Sequence, residues 1–85
     1  MLDNSKARAE IELQEAFRAF ALRAGVAGVL AVTELDGVLW GMTYARRLSN
    51  LTEPPLIVDG PLPVVVKLTL AAWDKCWGIK MDFVP

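Results

Sequence analysis

The chain has 85 residues, a formal net charge of −1 and a hydrophobic share of 54%, above the ~45–50% usual for soluble domains on a count that also includes glycine. The balanced charge argues against the clustered basic face with which nucleic-acid-binding domains hold phosphates. Charged residues interrupt every apolar run well before the ~18 residues that suggest a membrane span, so we expect neither nucleic acid nor a membrane as partner.

The first predicted element is a helix that begins at Asn4 or Ser5 and ends at about Ala24. Either residue can cap the helix N-terminus, and Gly25 can adopt the left-handed conformation that ends many helices. Alanine, which has the highest helix propensity, is frequent in this segment. The apolar residues at helical spacing are Ala9, Leu13, Ala16, Phe17, Phe20 and Ala24. We expect this stripe to face the core.

Residues 26–45 are the strongest structural signal: two β-prone apolar runs joined at Asp36-Gly37. Asp-Gly favours a type I′ turn, which predicts an antiparallel hairpin with Leu35 opposite Val38. One face then pairs Thr33 with Trp40, Ala31 with Met42 and Val29 with Tyr44. The other face pairs Glu34 with Leu39, Val32 with Gly41 and Leu30 with Thr43. Neither face is polar along its whole length, so we expect both to be covered.

Residues 46–63 contain four prolines, at positions 54, 55, 61 and 63. Proline lacks an N–H donor, so this segment is predicted as a long loop rather than a central strand. The triplet Leu56-Ile57-Val58 within it could form a short edge strand or fold back over the core. Long loops in small domains are commonly functional, and this is the first place where we expect a binding surface.

Residues 64–77 fit two interpretations. As a strand, Val64, Val66, Leu68 and Leu70 alternate with their neighbours. As a helix, Val66, Leu70, Trp73 and Trp77 form a stripe, and Pro63 and Gly78 suit its two ends. The matched ends favour the helix. Beyond it, Ile79, Met81 and Phe83 alternate with polar residues, which predicts a half-buried terminal strand.

These elements predict an α+β fold. The expected order is α-β-β-α-β, with an antiparallel hairpin-based sheet packed against helices, and residues 1–85 are expected to form a single domain. The alternative is one helix with a four-stranded antiparallel sheet. A domain of this size hides only roughly 60–65% of its unfolded surface. The large apolar share therefore predicts an interface between proteins, with a homodimer as the simplest assembly.

Residue types that carry chemistry are scarce. The chain has no histidine and one cysteine, Cys76, which lies in an apolar run and is expected in the core. No residue spacing indicates a metal site, a phosphate loop or a dinucleotide site. We therefore expect no catalytic residue, no cofactor and no metal, and a protein that is not an enzyme. The single cysteine and an N-terminus without signal-peptide character predict a cytoplasmic protein.

Tryptophan is the residue type that most favours a binding role. The chain has three tryptophans, and this side chain is enriched at interface hot spots. We expect Trp73, in the middle of the predicted helix, in the core, and Trp77 at a partner contact. The candidate partner-binding residues are Trp77, Trp40, Arg46, Arg47, Leu56 and Ile57.

A helix leading into Gly-Val-x-Gly-Val-Leu-Ala-Val-x-x-x-Asp-Gly resembles roadblock-type dimerisation domains, over Ala21 to Thr43. The resemblance implies an order that begins helix, hairpin, helix, and association through sheet and helix edges.

Together the observations favour a small non-enzymatic protein–protein interaction module. It would self-associate or bind a larger protein as an adaptor, accessory subunit or inhibitor. Two alternatives are a small-molecule binding domain with a pocket between the sheet and Trp73 and Trp77, and the roadblock-like dimerisation domain.

Overall fold

The structure is a computed structural model that describes the backbone of residues 4–84 and the side chains of residues 8–84. Two helices and three strands follow in the order α1 (Asn4–Arg23), β1 (Val26–Leu35), β2 (Val38–Arg47), β3 (Leu56–Pro61) and α2 (Leu62–Trp77). The strands form one antiparallel sheet in the order β1-β2-β3. The predicted α+β class is confirmed.

The hairpin is confirmed at every predicted pair, from Leu35–Val38 to Val29–Tyr44 and Leu30–Thr43. Asp36 and Gly37 have φ angles of 51° and 81°, as a type I′ turn requires. The turn chemistry is local, so the register follows from it directly.

Helix α1 ends at Arg23, one residue before the predicted end at about Ala24, and Gly25 has a φ of 76°. Phe17 and Phe20 of the predicted stripe are buried, as is Ala21, whereas Ala9 is exposed. The capping side chains expected at Asn4 or Ser5 lie outside the described side chains.

The predicted order of the second half was wrong. Residues 56–61 form β3, antiparallel to β2, and residues 62–77 form α2, which ends at Gly78 with a φ of 69°. The helical interpretation of residues 64–77 is therefore confirmed. Pro61 is tolerated because it ends an edge strand. The order is α-β-β-β-α rather than α-β-β-α-β, and the four-stranded alternative is also wrong.

The terminal strand predicted over residues 79–83 is absent from the described chain. This segment has no regular secondary structure. Ile79 and Phe83 are nevertheless half-buried against the core, and the Phe83 ring lies 5.2 Å from that of Phe20. An extended segment that packs every second side chain on helices produces the same alternation as a half-buried strand.

Both helices lie on one face of the sheet, which places the core between helices and sheet. α1 approaches β1 at Gly28, where an added Cβ would lie 2.9 Å from Ala21 Cβ, and α2 approaches β2 at Gly41, where it would lie 2.7 Å from Val65 Cγ1. Trp73 is fully buried at the centre, with its ring 5.8 Å from that of Phe17 and stacked 6.2 Å from that of Phe20. One sheet face therefore packs against the helices, except near the hairpin turn, where Glu34 is exposed.

Candidate protein interface

The opposite face of the sheet, here called the open face, carries no helix in the described chain. It consists of alternate residues of the three strands: Ala27, Val29, Ala31, Thr33 and Leu35 of β1; Val38, Trp40, Met42, Tyr44 and Arg46 of β2; and Ile57, Asp59 and Pro61 of β3. Seven of them are large apolar residues with 37–62% of their surface exposed. An exposed antiparallel face is ordinarily polar, and this one is not.

The open face has a definite relief. Strand β2 contributes large side chains at Trp40, Met42, Tyr44 and Arg46, which we call the β2 ridge. The Arg46 guanidinium lies 5.7 Å from the centre of the Tyr44 ring, a cation–π distance that orders this end of the ridge. The neighbouring strand contributes the small side chains of Ala27, Ala31 and Thr33, which with Val29 form the β1 trough. A ridge and a trough therefore run side by side along the hairpin.

Charge lies at the border of the open face. Its charged residues are Arg46, at the end of β2, and Asp59, on the edge strand β3. Along the hairpin, the face around Met42 is apolar apart from the hydroxyl of Thr33, and Asp59 lies beside Met42 on the edge strand. A surface of this kind can desolvate its centre without burying an unpaired charge.

Helix α1 extends the open face beyond β1. Arg18 and Leu22 border a depression of ≈ 250 Å³ with Val29 and Tyr44, and Leu22 is 54% exposed. The helix also covers the first half of the β1 edge, where Gln14 Nε2 donates to the Leu30 carbonyl at 3.1 Å. Strand addition along this half of β1 is therefore obstructed.

A second cluster, here called the clasp, joins the loop after β2 to the end of α2. Glu53 accepts hydrogen bonds from Trp77 Nε1 at 2.7 Å and from Asn50 Nδ2 at 3.2 Å, and it forms an ion pair with Arg47. The Arg47 guanidinium also lies 5.6 Å from the Trp77 ring centre. The Arg47 and Trp77 donors lower the pKa of the Glu53 carboxyl. The Glu53 carboxylate is therefore well satisfied, whereas the buried Nε of Arg47 has no hydrogen-bond partner.

The six predicted partner-binding residues fall in three places. Trp40, Arg46 and Ile57 lie on the open face. Trp77 and Arg47 belong to the clasp. Leu56 is half-buried and packs against the core.

Sequence reasoning did not nominate Val29, Leu35, Val38, Met42 or Tyr44 as partner-binding residues. The predicted register already placed Val29, Met42 and Tyr44 on one face with Trp40. The register alone does not show that both helices cover the other face.

Cys76 is exposed rather than in the core. The buried positions of α2 are Val65, Thr69 and Trp73, spaced by four residues, and this series continues to Trp77 rather than to Cys76. Among the described residues, no group of three or more His, Cys, Asp or Glu side chains could hold a metal ion.

The pocket expected between the sheet and the two tryptophans is not present at Trp73, because Phe17 and Phe20 pack directly on this fully buried ring. A groove of ≈ 670 Å³ lies elsewhere, between the two helices and the terminal segment, and its lining includes Leu13, Val66 and Phe83. The lining of the groove is mainly apolar, and it also includes the charged residues Lys67 and Asp82.

Comparison with protein-family models, with curated proteins and with solved structures gives no match for this chain. The fold also departs from the order that the roadblock resemblance implies, because β3 lies between the hairpin and α2. Within residues 4–84, neither helix combines the length and apolar character that crossing a membrane requires.

Proposed function

We propose that this chain is a non-enzymatic protein–protein interaction module whose binding surface is the open face. One observation carries the proposal: the sheet has apolar side chains on both faces and helices on only one. The proposal includes self-association and binding to a larger protein as an adaptor, accessory subunit or inhibitor. A cytoplasmic setting is part of it, because the exposed thiol of Cys76 is best preserved in a reducing compartment.

The area of the open face supports this proposal. Its seven large apolar residues expose about half of their surface, which at roughly 150–200 Å² per residue amounts to on the order of 600 Å². This is at the upper end of the ~300–600 Å² of the largest patch on a typical monomer. Burial of apolar surface is the main favourable contribution to association, whereas the affinity depends on packing and complementarity rather than on area.

The residue types support it as well. Trp, Tyr and Met are enriched in the cores of protein interfaces, and charged residues occupy the rims. Trp40, Met42 and Tyr44 lie in the middle strand, whereas Arg46 and Asp59 lie at the border. The distribution is the one expected of a desolvated centre with a hydrated rim.

A charge placed at the centre of the open face tests the proposal. Met42→Lys introduces an ammonium group at the centre of the face, and its desolvation would cost free energy even beside Asp59, the cross-strand neighbour of Met42. Ile11→Lys is the matched control, because Ile11 is 53% exposed on α1 and Met42 is 47% exposed on the sheet. In sedimentation equilibrium at micromolar concentration, we expect the wild type and Ile11→Lys to associate and Met42→Lys to remain a monomer.

Binding to a larger protein is tested with the wild type, Ile11→Lys and Met42→Lys immobilised as baits. A specific partner should be retained by the wild type and Ile11→Lys but not by Met42→Lys. The proposal is contradicted if Met42→Lys associates like the wild type, or if neither self-association nor partner capture depends on this residue.

A further inference from the structure

We infer that the partner on the open face is a second copy of this chain, with the β2 ridge of each copy packed into the β1 trough of the other. The inference rests on the proposed function, because it requires the open face to be an interface. It adds the identity of the partner and the pairing of residues across the contact.

The relief of the open face is self-complementary. A two-fold axis that runs parallel to the strands, between β1 and β2, places the β2 ridge of one copy over the β1 trough of the other. Met42 then faces the partner's Ala31, Trp40 faces the partner's Thr33, and Tyr44 faces the partner's Val29. Each contact joins a large side chain to a smaller one, which is how packed layers fill space.

The other simple two-fold arrangement fits worse. An axis perpendicular to the strands places the β2 ridge of one copy on the β2 ridge of the other. Trp40, Met42 and Tyr44 would then hold the sheets apart and leave both troughs empty, at the cost of a void. Both axes give the aligned sheet-on-sheet packing of β-sandwiches, in which the strand directions differ by about 30°, so the relief of the face decides between them.

The margins of the two copies also match under the parallel axis. Strand β3 of one copy comes to lie over the α1 side of the other, so that Ile57 reaches the partner's Leu22. These residues are 57% and 54% exposed, and no other described element covers either of them. Asp59, which is exposed, and Arg46, which is half-buried, lie at the margin of this contact.

The area is sufficient for a stable dimer. A standard interface buries about 800 Å² per partner. The seven large apolar residues supply on the order of 600 Å² of it, and Leu22, Arg46 and the small side chains of the trough lie within the same contact. The open face can therefore supply most of the area of a standard interface.

Two size-changing variants test the pairing of Met42 with the partner's Ala31. Ala31→Met places two methionines at each contact, and Met42→Ala leaves two alanines there. We expect each variant alone to self-associate about tenfold more weakly than the wild type, or worse. Mixed in equal amounts, they restore one large and one small side chain at both contacts, so the mixture should associate within about threefold of the wild type.

Association is measured by sedimentation equilibrium of each variant and of the mixture, with one variant fluorescently labelled to follow the mixed dimer. Circular dichroism confirms that each variant is folded, which is expected because both positions are on the open face. A mixture that associates no more tightly than either variant overturns the pairing. If the wild type remains a monomer at high micromolar concentration, the inference that the partner is a second copy of this chain is wrong.

The inference and the proposed function fail separately. If Met42→Lys abolishes association and the mixture is not rescued, the open face is the interface but the ridge-in-trough packing is wrong. If Ala31→Met associates more tightly than the wild type, the ridges face each other and the parallel axis is wrong. If Met42→Lys has no effect, the proposed function itself is wrong.

Discussion

The indole N–H of Trp77 donates a hydrogen bond of 2.7 Å to Oε1 of Glu53, and so joins the last turn of α2 to the loop between β2 and β3. This contact removes Trp77 from the surface that a partner could reach freely. It also ties the loop from Leu48 to Pro55, which contains no regular secondary structure, to the end of the helix.

The clasp should make stability depend on pH. The pKa of Glu53 lies below its ordinary value of 4.5, chiefly because Arg47 and Trp77 donate hydrogen bonds to the carboxylate. A lowered folded-state pKa contributes stability that is present above the unfolded pKa and is lost as the pH falls through the folded value. Urea unfolding from about pH 6 to about pH 3 should show a steeper loss for the wild type than for Glu53→Gln. Parallel curves would contradict a contribution from this carboxylate.

Trp73 and Trp77 should differ in their effect on stability. Trp73 is fully buried among Phe17, Phe20 and Trp77, so Trp73→Ala should lower the free energy of unfolding by ~3–5 kcal/mol. Trp77 is only half-buried, so Trp77→Ala should cost clearly less in the same urea titration. Equal losses would show that the two rings are equally important to the core.

A buried hydroxyl pair joins β2 to α2. Thr43 Oγ1 and Thr69 Oγ1 lie 2.7 Å apart, and Thr69 donates to the Val65 carbonyl at 2.7 Å. Thr43→Val alone or Thr69→Val alone should cost ~1–3 kcal/mol, because one polar group is left with fewer partners. The double variant should cost less than the sum of the two. Additive losses in a double-mutant cycle would indicate that the hydroxyls do not interact.

The hairpin turn should tolerate little change. Gly37 has a φ of 81°, and a β-branched side chain is strained there. We expect Gly37→Val to lower the free energy of unfolding by more than ~1 kcal/mol. A variant as stable as the wild type in urea would contradict the turn geometry.

The sequence predicts those parts of the fold that depend on interactions between residues close together in the chain. The hairpin register was predicted correctly because Asp36-Gly37 fixes it through local turn geometry. The end of α1 and the helical state of α2 were predicted from Gly25, Pro63 and Gly78, which are also local signals. The residues of β3 alone do not predict a strand, because its state depends on pairing with β2.

The candidate interface could be predicted only in part. The hairpin register already placed Trp40, Met42 and Tyr44 on one face, but sheet patterning alone does not say which face the helices cover. That choice follows from the close approach of the helices at Gly28 and Gly41, where the absence of a side chain lets α1 and α2 lie against the sheet. Sheet patterning without these contacts predicts that both faces are covered. Tryptophan content alone then favours Trp77 as a partner contact, rather than residues chosen by their position on the sheet.

The most direct test of the central claim uses the unmodified chain and compares two of its methionines. Met42 lies at the centre of the open face and Met81 in the terminal segment, with exposures of 47% and 38% in the isolated chain. Oxidation by hydrogen peroxide, followed residue by residue with mass spectrometry over a range of protein concentrations, reports the accessibility of each. We predict that Met42 oxidises more slowly as the concentration rises through the micromolar range, whereas the rate at Met81 stays constant. Equal rates for Met42 at all concentrations would contradict the burial of the open face against a second copy.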